Sequence, residues 1–171
     1  MQKYSKKFAL LHWIHAILIA LVLIGGLVNL PNLPQNGTEL APFKMHMIMG
    51  FLVFILLLVR FFMVKKELKL EPIYNDKKEI LVNLNHKLIY IFIALSAISG
   101  AATAKSANIG QVLIFGKEPS VYSGPGGITA ILGQIHTISA YTLLALIIMH
   151  IVGVVSYAIA KDRNIIKRVW I

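Results

Sequence analysis

Long apolar stretches alternate with short polar intervals along nearly the whole chain. A membrane-spanning helix needs about 20 mostly apolar residues at 1.5 Å each. Four segments meet this, at about 8–30, 43–64, 80–104 and 128–160. Pro31 and Pro34 stop the first. The fourth is long enough to project beyond a bilayer. The pattern predicts an all-α integral membrane protein, a four-helix transmembrane bundle forming a single domain over residues 1–171. Lys3, Lys6 and Lys7 precede the first span as they would in a signal peptide. Its apolar run exceeds the roughly 7–15 residues of a signal's h-region, and no small-x-small cleavage site precedes the prolines. The first span is therefore expected to be retained.

Composition agrees. The chain is 57% hydrophobic and 14% charged, against roughly 45–50% and about 25% for a soluble domain. These values exclude a disordered chain and a disulfide-stapled secreted domain. With no cysteine, Cys-ligated zinc, iron–sulfur clusters and thiol catalysis are excluded too. The net charge of +10 takes its meaning from where the cations fall. Lys3, Lys6 and Lys7 precede span one. Arg60, Lys65, Lys66, Lys69, Lys77, Lys78 and Lys87 lie around the interval between spans two and three. Lys161, Arg163, Lys167 and Arg168 follow span four. Lys44, Lys105 and Lys117 alone fall on the other side. The positive-inside rule then puts both termini and the middle loop in the cytoplasm. The basic charge is a topology signal and a contact with anionic lipid, and nucleic acid is discounted. Of the two outer loops, the one from Lys105 to Gly127 is the longer. It carries SGPGG at Ser123–Gly127 and is expected to fold back over the bundle mouth.

The histidines carry the chemistry. All six, His12, His15, His46, His86, His136 and His150, lie in or at the ends of the apolar spans. Ionisable groups in hydrocarbon are costly and mark function. A single histidine near a helix end is as readily a headgroup contact or a helix–helix hydrogen bond; six without carboxylate partners are not. His136 and His150 are 14 residues apart, so they return to within roughly 40° on one helix face, separated by about 21 Å along the axis. Chain direction supplies their partners. His46 near the start of span two matches His136 at the outer level. His12 and His15 match His150 at the inner level, and His86 enters near the inner surface.

Imidazoles paired across a bundle suit bis-His haem iron, because neutral nitrogen ligands need no buried counter-charge. Small residues near the ligands leave room for the macrocycle: Gly50 by His46, Gly133 and Ala140 by His136, Ala16 by His12, Gly153 by His150, and Ala97 with Gly100 on span three. Such residues are also ordinary packing sites in membrane bundles. Zinc would want its ligands at one depth, usually with a carboxylate. Met45, Met47 and Met49 around His46 raise a Met-ligated copper site, but Met45 and Met47, one residue either side of His46, point away from its face.

At these residues the chain resembles the bacterial cytochrome b561 family, in particular its di-haem superoxide-oxidising (superoxide:ubiquinone oxidoreductase) type. The resemblance is carried by KYSKKFALLHW (Lys3–Trp13), FKMHMIMGFLVFILLLVRF (Phe43–Phe61), LNHKLIYIFIALSAISG (Leu84–Gly100), GQIHTISAYTLLALIIMH (Gly133–His150) and AKDRN (Ala160–Asn164). It implies a bacterial inner-membrane protein with two haem b groups. His46 and His136 would bind the outer iron, and His12 and His150 the inner. His12, rather than His15, matches the family's His-Trp pair. His86, with Asn85 beside it, is left for a quinone or proton role, with His15 second. The resemblance further implies that superoxide reaches the periplasmic side, gives electrons through both haems, and that ubiquinone accepts them. Lys44, Lys105 and Lys117 would then steer the anion. No obligatory protein partner is expected, since short loops and tails offer little docking surface. The alternative is a cytochrome b subunit linking quinone to a partner dehydrogenase or periplasmic redox protein.

Overall fold

The first helix starts where a serine caps it. α1 (Lys6–Ile24) is preceded by Ser5, whose hydroxyl oxygen accepts the Phe8 N–H at 3.2 Å. The Ser5 N–H donates to a Glu67 carboxylate oxygen at 3.1 Å, and the Ser5 hydroxyl donates to the other. A carboxylate beside the positive end of a helix is favourable, and here it ties the start of α1 to the end of the next helix. The remaining long helices are α2 (Leu40–Val64), α3 (Asp76–Ser106) and α4 (Gly127–Lys161). The computed structural model describes residues 3–32, 40–67, 76–109, 111, 115, 127–161 and 165–170.

Two departures from the hydropathy boundaries are physical. α1 does not simply stop before Pro31: it widens into a π turn at Gly25–Asn29 and tightens into a 3-10 turn at Leu30–Asn32, where Asn32 Nδ2 donates to the Val28 carbonyl at 2.6 Å. α3 begins at Asp76, upstream of its apolar run. The side chains of Lys78 and Glu79 in that first turn can lie in the headgroup layer while the backbone keeps its helical hydrogen bonds.

All four helices are long and apolar enough to cross a bilayer. Leu10, Ile14, Ile17, Leu21 and Ile24 repeat every three or four residues on α1 and are all exposed. Such a continuous apolar stripe needs lipid around it. Hydrogen bonds place both termini at one end. The Tyr4 N–H donates to the Arg168 carbonyl at 3.0 Å, and Trp13 Nε1–H to the Val169 carbonyl at 2.8 Å. Trp13 also meets Trp170 edge-on, 6.4 Å between ring centres. This end is called the terminal end, and the opposite one the far end.

At mid-depth the helices meet through Ile19 and Leu23 of α1, Val53 and Leu57 of α2, Ile93 of α3, and Ala140 and Leu143 of α4. Lipid tails are as apolar as these side chains, so close packing and buried hydrogen bonds hold the layer, rather than expulsion from water. The broadest interface is between α3 and α4. There Ser96 Oγ donates to Ser139 Oγ at 3.0 Å, and Ser139 Oγ to the His136 carbonyl at 2.8 Å. The mid-depth layer separates two groups of histidines.

Candidate functional site

At the far end, His46 of α2 faces His136 of α4. Their ring centres are 6.1 Å apart and their planes are near perpendicular, at 84°. An imidazole nitrogen lies about 2.0 Å from a bound metal and roughly 1.1 Å from its own ring centre, so two rings on opposite sides of one ion have centres about 6 Å apart. The observed separation fits a single iron held by both.

The neighbouring helices shape this pair. A Cβ added to Gly26 of the π turn would lie 2.6 Å from His46 Cε1, and one added to Gly100 of α3 would lie 2.9 Å from His136 Cε1. Each ring thus rests on a glycine of another helix. His136 Nδ1 lies 2.9 Å from the Ser96 carbonyl oxygen. A carbonyl only accepts, so Nδ1 carries the proton and Nε2 keeps its lone pair for a metal. His46 Nδ1 is buried without a hydrogen-bond partner, the kind of group that a native structure ordinarily satisfies.

At the terminal end the arrangement is denser. His150 of α4 packs edge-on against His86 of α3, with ring centres 4.9 Å apart. That is closer than two rings sharing one iron. His86 Nδ1 lies 2.8 Å from the Val82 carbonyl, which again puts the proton on Nδ1 and leaves Nε2 for other chemistry. His12 sits within electrostatic reach of His150, His86 and His15, touches Trp13 edge-on at 5.6 Å, and has a buried Nδ1 with no hydrogen bond. His15 is fully buried, at 0% exposure. Its ring lies toward the Val53 backbone, but neither ring nitrogen reaches hydrogen-bonding geometry. Asn85 is buried against α4, its Nδ2 a long 3.5 Å from the Leu146 carbonyl and its Oδ1 unpartnered.

The sequence thus anticipates the two levels and the meeting of His46 with His136. His86, expected to stand apart from the ligand set, is the ring on which His150 packs. Of the small residues read from the sequence, Gly100 lies against a histidine, whereas Gly50 and Gly153 face open space and Gly133 makes only ordinary contact with Thr103. Gly26 escaped that reading, although the Gly25–Gly26 pair lies at the depth of His46. So did the Ser96 carbonyl, which no side-chain pattern announces. Lys44 and Lys105 are exposed at the far end. Lys117 and residues 116–126 of the outer loop, with the expected fold-back cap, lie outside the described residues.

Among the described residues, no three His, Asp or Glu side chains converge as a bare metal ion would require. Facing imidazoles, unpartnered buried ring nitrogens and glycine cradles instead fit a flat, metal-bearing macrocycle between helices. The fold and site together define a transmembrane four-helix bundle of the haem-binding cytochrome b class. The chain matches the prokaryotic cytochrome b561 family over residues 3–170, and it belongs to that family. Comparison with curated proteins and with solved structures returns no match. Membership makes the chain a membrane cytochrome b that transfers electrons and binds b-type haem.

Proposed function

We propose that the protein is a di-haem superoxide:ubiquinone oxidoreductase of the bacterial inner membrane, with both termini in the cytoplasm. The far end then faces the periplasm. His46 and His136 hold the haem at that level, and His12 and His150 hold the one at the cytoplasmic level. The bound haems supply one-electron carriers on either side of the mid-depth apolar layer. The observation that carries this reading is the 6.1 Å spacing of His46 and His136, with a second histidine group at the opposite depth.

The chain's own residues have distinct tasks. Superoxide, a monoanion, loses one electron and leaves as dioxygen. Lys44 and Lys105 are exposed where it would arrive, and with Lys117 they raise its local concentration by steering. The Ser96 carbonyl fixes His136 as the Nδ1–H tautomer and makes the imidazole a better donor to iron. At the cytoplasmic level, one ubiquinone takes two electrons and two protons to become ubiquinol. His86 is half-buried with Nδ1–H tied to Val82, so Nε2 is the atom left to bind a quinone oxygen or pass a proton. Asn85 is adjacent, with a free Oδ1. His15, sealed at 0% exposure, is the less accessible proton carrier.

The test is optical. Purified oxidised protein is exposed to a steady superoxide flux, and the haem absorption bands are followed with and without ubiquinone. Rapid haem reduction that added ubiquinone drains is the expected result. Haem bands that ignore superoxide but respond to quinol would overturn the reading in favour of an electron-transfer subunit serving a partner protein.

A further inference from the structure

Arg60 is a terminal-end cation that the functional reading above does not use. It lies one turn before the end of α2, yet its side chain turns into the bundle. Its guanidinium carbon is 5.5 Å from the Tyr90 ring centre and 5.7 Å from that of Phe8, and its Nε is buried with no hydrogen-bond partner. It stands within electrostatic reach of His12 and His15 of α1, His86 of α3 and His150 of α4. The carboxylates described at this end are engaged elsewhere: Glu67 takes Ser5, and Glu79 lies within 3.4 Å of Asn83 Nδ2.

A half-buried guanidinium beside four imidazoles, set between two aromatic rings and with its Nε hidden from any described acceptor, is half of an interaction. An uncompensated buried charge is strongly destabilising, and cation–π contact recovers only a small part. Arginine's planar fork matches a carboxylate in two parallel hydrogen bonds. The porphyrin of haem b carries two carboxylates on flexible arms. We propose that Arg60 is the receptor for a propionate carboxylate of the haem held by the terminal-end histidines. This rests on the reading of those histidines as ligands. The same fork would accept a lipid phosphate, so the test separates the two sources.

Apo-protein is titrated with haem b and with its dimethyl ester, whose carboxylates are neutral. The titrations use wild type, Arg60→Gln and Arg60→Lys, and the midpoint potential of each bound haem is measured. Wild type should bind haem b at the terminal-end site at least tenfold more tightly than the ester. Arg60→Gln should abolish that preference and lower the potential of that haem alone, since a nearby cation favours the added electron. Arg60→Lys should keep part of both effects. Equal binding of haem b and ester by wild type overturns the proposal without needing any variant. So does an Arg60→Gln protein with unchanged preference and potential, and so does one whose only defect is loss of a co-purified anionic phospholipid by native mass spectrometry. Failure of the underlying reading has its own signature: a wild type in which His150→Ala removes no haem, an outcome that overturns the proposal with it.

Discussion

Gly100 is the position where one added methyl group interrogates the far-end site most directly. In Gly100→Ala the new Cβ would lie 2.9 Å from His136 Cε1 and 3.0 Å from Nδ1. Ordinary contact begins near 3.4 Å, so the ring must retreat by about half an ångström. It is not free to do so, because Nδ1–H is tied to the Ser96 carbonyl at 2.9 Å. Overpacking of this kind costs about 1–3 kcal/mol, and a weakened hydrogen bond adds about 1 kcal/mol. At 1.4 kcal/mol per factor of ten, haem affinity at this site should fall about thirtyfold to several hundredfold. The helix itself loses nothing, since alanine is the better helix former by about 1 kcal/mol. The assay is a haem titration of apo-protein, resolved by site in reduced-minus-oxidised spectra. Gly50→Ala and Gly153→Ala serve as controls, because nothing lies within 4 Å of either added Cβ. Wild-type affinity and spectrum in Gly100→Ala would refute the reasoning. An equal loss in Gly50→Ala would refute it as well.

Two further outcomes test the division of labour among the histidines. His46→Ala and His136→Ala should each lose the same haem and keep the other, read from the haem-to-protein ratio and the surviving midpoint potential; loss of different haems would break the pairing. His86→Ala should retain both haems yet slow quinone reduction by roughly 10²–10⁴-fold if it relays the proton. An unchanged quinone rate in stopped-flow measurements would remove it from the mechanism, and loss of the terminal-end haem would instead make it the partner of His150.

The helices were legible because a bilayer imposes one requirement that a sequence states openly: length in apolar residues. The two histidine levels were legible for a similar reason. Fourteen residues on one helix fix both a face and a depth, so His136 and His150 needed only the direction of the other spans to find partners at matching level. What sequence could not supply was which neighbour each side chain would rest on. Gly26 acts on His46 because α1 loosens into a π turn beside α2, and neither the turn nor the adjacency leaves a periodic signal. The carbonyl of Ser96 is invisible by nature, since every residue has one. At the terminal end, depth alone could not separate His12, His15 and His86. The structure distinguishes them by surroundings: one beside Trp13, one sealed against α2, one packed edge-on against His150.

Arg60 shows where counting charges fails. By position it belongs with the lysines that flank span two, and the positive-inside rule treats them all alike. Yet a flanking lysine reaches headgroups along a flexible stem, whereas Arg60 lies between Phe8 and Tyr90 with Nε hidden. Topology needs only that a charge be on one side of the membrane; it gives no reason for a charge to turn inward. The inward turn therefore demands a local cause. The terminal-end histidines offer none, because an imidazole carries no negative charge to pair with a guanidinium. An anion carried by something those imidazoles hold would resolve both facts together. The far-end pair is built without a matching buried cation among the described residues: Lys44 and Lys105 both lie exposed. If each level holds a haem, as proposed, the two should therefore differ in midpoint potential in a redox titration, the terminal-end haem being the easier to reduce. Electrons entering at the far end would then run downhill toward the terminal end.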